Sequence, residues 1–163
     1  MIIRQAKTED LTQLMNIYNY EVVNGVSTLD IQPRTYEERK IWFEQHNINH
    51  HPLIVADIEG HIAGYASLSS YREKEAYRST VELSIYIAPE DRKKGVATIL
   101  MEQILKLARE DETLHSVVSV ITSGNEASCK LHEKFGFTFC GTIQEVGMKF
   151  GKYQDIDNYR LGV

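Results

Sequence analysis

Residues 95–109, GVATILMEQILKLAR, constrain the fold more than any other stretch. Val96, Ile99, Leu100, Ile104, Leu107 and Ala108 recur at intervals of three and four, which makes one apolar helical face that packs on a sheet. Strand-like runs stand on either side, STVELSIYIAP (79–89) before it and SVVSVIT (116–122) after it.

The rest of the chain supplies the sheet and its cover. IIRQA (2–6) reads as a short strand, and Thr8 as the cap of a helix running to about Val23 with Leu11, Leu14, Met15, Ile17, Tyr18 and Val22 on its apolar side. Thr35 and Glu38 form a capping box that opens a second helix carrying Ile41, Trp42 and Phe43 and ending near His46. LIVADIEGHIAGYASLSS (53–70) predicts a hairpin turning at Glu59 and Gly60. A helix over 125–134 and the strands FTFCGTI (137–143) and DIDNYRL (155–161) complete the order β-α-α-β-β-β-α-β-α-β-β. That order predicts an α/β or α+β fold with a mixed central sheet covered by helices. No Pro-, Gly- or Ser-rich divider interrupts the 163 residues, so one domain over 1–163 is expected.

Eighteen basic against twenty-three acidic residues leave a net charge of −5, so no global field draws in nucleic acid or an anionic membrane. Any anion site must be local. Cys129 and Cys140 show no disulfide or metal spacing and read as reduced thiols, and with no leader or bilayer-length apolar run a cytoplasmic location is expected. The one local concentration of positive charge is Arg92, Lys93 and Lys94, placed where a helix begins. Cations there oppose the helix dipole, whereas the small residues Gly95 and Ala97 leave backbone N–H groups uncovered. A bound pyrophosphate would resolve the conflict. Solvated loop cations balanced by Glu90 and Asp91 are the plainer alternative. The stretch lacks the Lys-Ser/Thr of an ATP-type P-loop and the three glycines of a dinucleotide fingerprint.

Arg92, Gly95 and Ala97 fit Gln/Arg-x-x-Gly-x-Gly/Ala, and with NEASCKLHEKFGF (125–137) the chain resembles the GNAT N-acetyltransferase superfamily. YRSTVELSIYI (77–87), HEKFGF (132–137) and GMKFGKYQDID (147–157) resemble its phosphinothricin and methionine sulfoximine N-acetyltransferase branch. The resemblance implies a GNAT-like acyl-CoA N-acyltransferase fold, acetyl-CoA as co-substrate with no metal, and a homodimer. It also implies direct acetyl transfer, in a ternary complex, to the α-amino group of a small amino-acid analogue, in a detoxifying role. The implied coenzyme contacts are Arg92, Lys93, Lys94, Gly95, Val96, Ala97, Thr98, Asn125 and Ser128, with Ile85, Tyr86 and Ile87 pairing along the pantetheine arm where two central strands splay.

Amide formation from a thioester needs a base, an oxyanion donor and a proton for the thiolate. Strand alternation sets Val81, Leu83, Ile85 and Ile87 on one face and Glu82, Ser84 and Tyr86 on the other, leaving Glu82 as a mid-strand carboxylate and candidate base, with a solvated outward residue as the bland alternative. His132 stands where most of the superfamily has Tyr and is the candidate thiolate acid, an imidazolium of pKa about 6.5 donating downhill to a thiol of about 8.5. A packed helical histidine is the bland alternative. Arg78 is the candidate fork for an acceptor carboxylate, although YREKEAYR also reads as solvated charge; Thr28, Lys149 and Tyr153 are candidates for the same pocket, the last two also for a subunit contact. HNINHH (46–51) has His46 and His50 at a metal-binding spacing, yet the residues around it read as a polar loop. Two alternatives stand beside the leading function: a protein N-terminal or polyamine acetyltransferase, and a coenzyme-binding protein without turnover.

Overall fold

A computed structural model describes residues 1–163. Seven strands form one sheet in the order β1-β2-β3-β4-β5-β7-β6, antiparallel at every pairing except β4 with β5, which is parallel. The strands are β1 (Ile2–Gln5), β2 (Leu53–Ile58), β3 (His61–Ser70), β4 (Thr80–Ile87), β5 (Ser116–Thr122), β6 (Thr138–Lys149) and β7 (Lys152–Gly162). The helices are α1 (Leu11–Asn24), α2 (Tyr36–Glu44), α3 (Val96–Glu110) and α4 (Glu126–Lys134).

Strand alternation distributes the apolar residues to two cores, one on each face. Ile54, Ala56, Val81 and Leu83 join Val96, Leu100, Met101, Ile104, Leu105 and Ala108 of α3, with Leu131 of α4 packed alongside. Leu53, Val55, Ile62 and Tyr65 join Leu14 and Ile17 of α1, with Trp42 and Phe43 of α2 alongside. Each large aliphatic side chain buried this way contributes about 1.5–3 kcal/mol, which is why α3 sits so firmly across the sheet. Ile99 departs from expectation: it is 39% exposed, and Met101 and Leu105 take the buried positions instead.

The hairpin at Glu59 and Gly60 forms as expected, both residues having positive φ (53° and 91°), the geometry that matches strand twist in a two-residue turn. Thr35 and Glu38 make both halves of the capping box of α2. Thr8, by contrast, caps nothing. It lies in a short 3-10 turn (Thr8–Asp10), and the Asp10 carboxylate accepts from the Lys7 N–H and from Arg4, so that α1 starts at Leu11. The last two strands are also longer than expected. Phe150 and Gly151, with φ of 54° and 69°, turn a hairpin inside GMKFGKYQDID, and bulges near Gly141 and Glu145 bend β6.

Candidate active site

The ladder between the parallel strands β4 and β5 holds for only three residue pairs, Thr80–Glu82 with Ser116–Val118, and then stops. On their outer edges the two strands stay paired, β4 to β3 as far as Ile87 and β5 to β7 as far as Thr122. The sheet therefore forks in the middle, and Leu83–Ile87 present one backbone edge without a neighbouring strand.

A cavity of about 550 Å³ fills the fork. Ile85, Tyr86 and Ile87 line one wall, Ser119 and Thr122 the other; Arg92, Lys93, Gly95, Val96, Ala97 and Thr98 close one end and Asn125, Ser128 and His132 of α4 another. The turn before α3 is built as a cradle. Lys93 and Gly95 both take left-handed backbone (φ 62° and 83°), and a side chain at Gly95 would meet nothing within 4 Å, so this bend opens onto free space. The basic side chains here are partly committed. Arg92 pairs with the buried Glu21 of α1, and Lys94, which does not line the cavity, donates to Asp91 at 3.0 Å. Asp91 also pairs with His61 at 2.6 Å, so one buried carboxylate anchors the loop to β3.

A second cavity, also about 550 Å³, opens on the α1–α2 side. Glu82, Thr28, Asp30, Arg34, Arg39 and Trp42 line it, and Ser84 and Tyr86 of β4 border both cavities, so the two meet along this strand. Burial alone pushes the Glu82 carboxyl above the usual carboxylate range, and no cation is paired with it. Such a carboxyl is a better proton acceptor than an exposed one.

The GNAT acetyltransferase family model matches residues 12–137. The L-methionine sulfoximine/L-methionine sulfone acetyltransferase of Pseudomonas paraeruginosa is 36% identical over 162 residues, covering 99% of this chain and 94% of that protein. This chain is a GNAT acetyltransferase. Among solved structures, a ribosomal-protein-alanine N-acetyltransferase from Brucella melitensis superposes with a TM-score of 0.96 at 36% identity, covering all of both chains. A phosphinothricin acetyltransferase from Sinorhizobium meliloti, in complex with acetyl-CoA, gives 0.95 at 31% identity, covering 99% of this chain and 88% of that one.

In this acetyltransferase the other candidates from sequence fall in different places. His132 is 5% exposed; Nδ1 donates to the Ser128 carbonyl at 2.7 Å, leaving Nε2 to accept from the Ser119 hydroxyl at 2.9 Å. Burial pushes its pKa below the ordinary 6.5, which favours the neutral ring. Thr28 lines the second cavity, its hydroxyl 3.0 Å from that of Tyr18. Arg78 lines neither cavity; its side chain is 77% exposed and pairs with Glu75. Lys149 is buried, its ammonium donating to the carbonyls of Thr28 (2.8 Å) and Glu21 (3.3 Å), and it ties the loop after α1 to β6. Tyr153 is 61% exposed beside the β6–β7 turn. His46 does not belong to a polar loop: it is buried, with Nδ1 on the Trp42 carbonyl (2.7 Å) and Nε2 on the Ser69 hydroxyl (2.9 Å), so both ring nitrogens are used within the fold.

Sequence reasoning missed Arg39 and Tyr18, which line the second cavity, and Ser119, which lines the first. Arg39 had a readable signal. Positions 39, 42, 43 and 46 share one helical face, and Trp42, Phe43 and His46 turn inward, whereas Ile41 on the same helix is 61% exposed.

Proposed function

We propose that this enzyme transfers acetyl from acetyl-CoA to the α-amino group of a small amino-acid analogue of the phosphinothricin or methionine sulfoximine type, by direct attack in a ternary complex. The observation that carries this reading is the meeting of two cavities along β4, one holding the unpaired edge and the cradle, the other holding Glu82. The residues fit acetyl-CoA: free N–H groups around Gly95–Thr98 suit its pyrophosphate, and the open β4 edge suits its amide-bearing arm as an added strand.

The amine enters from the second cavity and its nitrogen attacks the thioester carbonyl. Glu82, directly or through one water, takes the proton from nitrogen, and a backbone N–H within Ile85–Ile87 stabilises the oxyanion. The C–S bond then breaks, the thiolate gains a proton from water, and Glu82 returns its own to solvent. His132 holds the Ser119 hydroxyl at the wall of the coenzyme cavity and acts as a positioning residue.

Thiol release measured over phosphinothricin, methionine sulfone, spermidine and an alanine-terminated peptide tests the reading; the peptide arm answers to the name of the Brucella protein. Methionine sulfone or phosphinothricin is expected to lead. Glu82→Gln is expected to lower kcat/KM by about 10²–10⁴ with acetyl-CoA binding kept. The wild-type acid limb should lie above the ordinary Glu pKa of about 4.3 and vanish in the variant. Full activity of Glu82→Gln at neutral pH would refute the base assignment.

A further inference from the structure

Arg39 is the cation in this molecule whose burial the fold leaves unexplained. The residue is 5% exposed, yet it makes no ion pair. Its guanidinium lies 3.6 Å from the Trp42 ring centre and 4.5 Å from that of Tyr18, and Nη2 donates to the Tyr65 hydroxyl at 3.2 Å. Nε is buried without any partner. Asp30 and Glu38, acids on the same cavity wall, both pair with Arg34, at 2.7 and 3.5 Å. The neighbours pressed against Arg39 are therefore neutral rings. Lys149, the other buried cation, is satisfied by two carbonyls.

Burying an unpaired charge is costly, and stacking on aromatic faces offsets only part of that cost. Stacking does fix the plane of the guanidinium, and a rigid fork at the wall of a cavity is suited to one class of ligand group, a planar or tetrahedral oxyanion. Glu82 stands in the same cavity without a cation of its own. One wall thus offers a positive group lacking an anion and an acidic group lacking a cation, the complement of a zwitterion.

We infer that Arg39 is a specificity-determining residue that holds an oxyanion of the acceptor, its carboxylate or an acidic side-chain group, while Glu82 meets the amino group. This rests on the acetyl-transfer reading for the role of Glu82, but the anion site itself does not.

Trp42 is the sole tryptophan and lies against Arg39, so its fluorescence reports binding with no coenzyme present and no turnover. Methionine sulfone, phosphinothricin and the carboxamide of each are titrated into the full-length protein, with calorimetry on the same solutions. Methionine sulfone should give a saturable response and its carboxamide a response about 10- to 100-fold weaker, the worth of one charge-assisted contact. Phosphinothricin carboxamide binding as well as phosphinothricin would assign the contact to the phosphinate, and weakened binding to the carboxylate. Arg39→Met should erase the preference for acid over amide and Arg39→Lys should keep part of it, both retaining acetyl-CoA binding by calorimetry as proof of folding. The inference is overturned if wild type responds to none of the acids, if Arg39→Met keeps the acid preference, or if that variant weakens acid and amide alike. Binding as expected with no thiol release from any amine would sink the transfer reading alone.

Discussion

Gly64 in β3 lies opposite Ile87, the last residue of β4, the strand whose other edge is open. A methyl group at Gly64 would stand 2.7 Å from Ile87 Cδ1 and 2.8 Å from the Tyr86 carbonyl oxygen. The isoleucine can rotate away, but the carbonyl belongs to the strand backbone and cannot. Ordinary contact begins near 3.4 Å, so β4 must retreat by about 0.6 Å. Overpacking of this kind costs about 1–3 kcal/mol, and at about 2–4 °C per kcal/mol for a chain of this size, Gly64→Ala should melt roughly 2–12 °C lower. The displaced atoms belong to Tyr86 and Ile87, which border the cavity in the fork. A misplacement of 1 Å at reacting groups can cost about a hundredfold, so kcat/KM should fall about tenfold or more. Thermal melts and thiol release measure both. Gly60→Ala is the control: at φ 91° with nothing within 4 Å, it costs about 1–2 kcal/mol of backbone strain at a turn residue that lines neither cavity and should leave kcat intact. The reasoning fails if Gly64→Ala keeps wild-type melting and activity, or if Gly60→Ala loses activity equally.

Burial lowers the pKa of both His46 and His132 below 6.5. Depressed histidine values mean stability that is complete above about pH 6.5 and is lost as pH falls through the folded-state values; melting temperature should drop from pH 7 to 5, less steeply in His46→Gln, and a flat profile would refute this. Thr35→Ala removes one half of the α2 capping box, and calorimetric melts should show a loss of about 1 kcal/mol; no change would mean that packing alone sets that helix end.

The element order was readable because periodicity and turn chemistry agreed: apolar spacing in α3, the capping box of α2, and Glu59-Gly60 at the first hairpin. The second hairpin was hidden because a phenylalanine at Phe150 takes positive φ, where bulky residues are rare, and because bulges break the alternation of β6. The open turn before α3 was legible as a candidate anion site since Gly95 and Ala97 advertise the space that uncovered backbone groups need. Arg78 could not be placed from sequence for the opposite reason: a guanidinium near the right strand reads the same whether it turns toward a cavity or, as in the single chain, toward solvent and Glu75. Arg39 escaped notice because a charged residue on an inward helix face breaks the apolar pattern used to find that face.

An unpaired strand edge normally invites stray chains to add on and aggregate. The fork puts its raw edge in the interior of the sheet, so the exposure falls on the outermost strands, β1 and β6. Both are poor templates: β1 has only four residues, and β6 is kinked twice out of register. The protein can thus keep hydrogen-bonding groups open to a ligand while offering foreign chains little straight edge on which to grow.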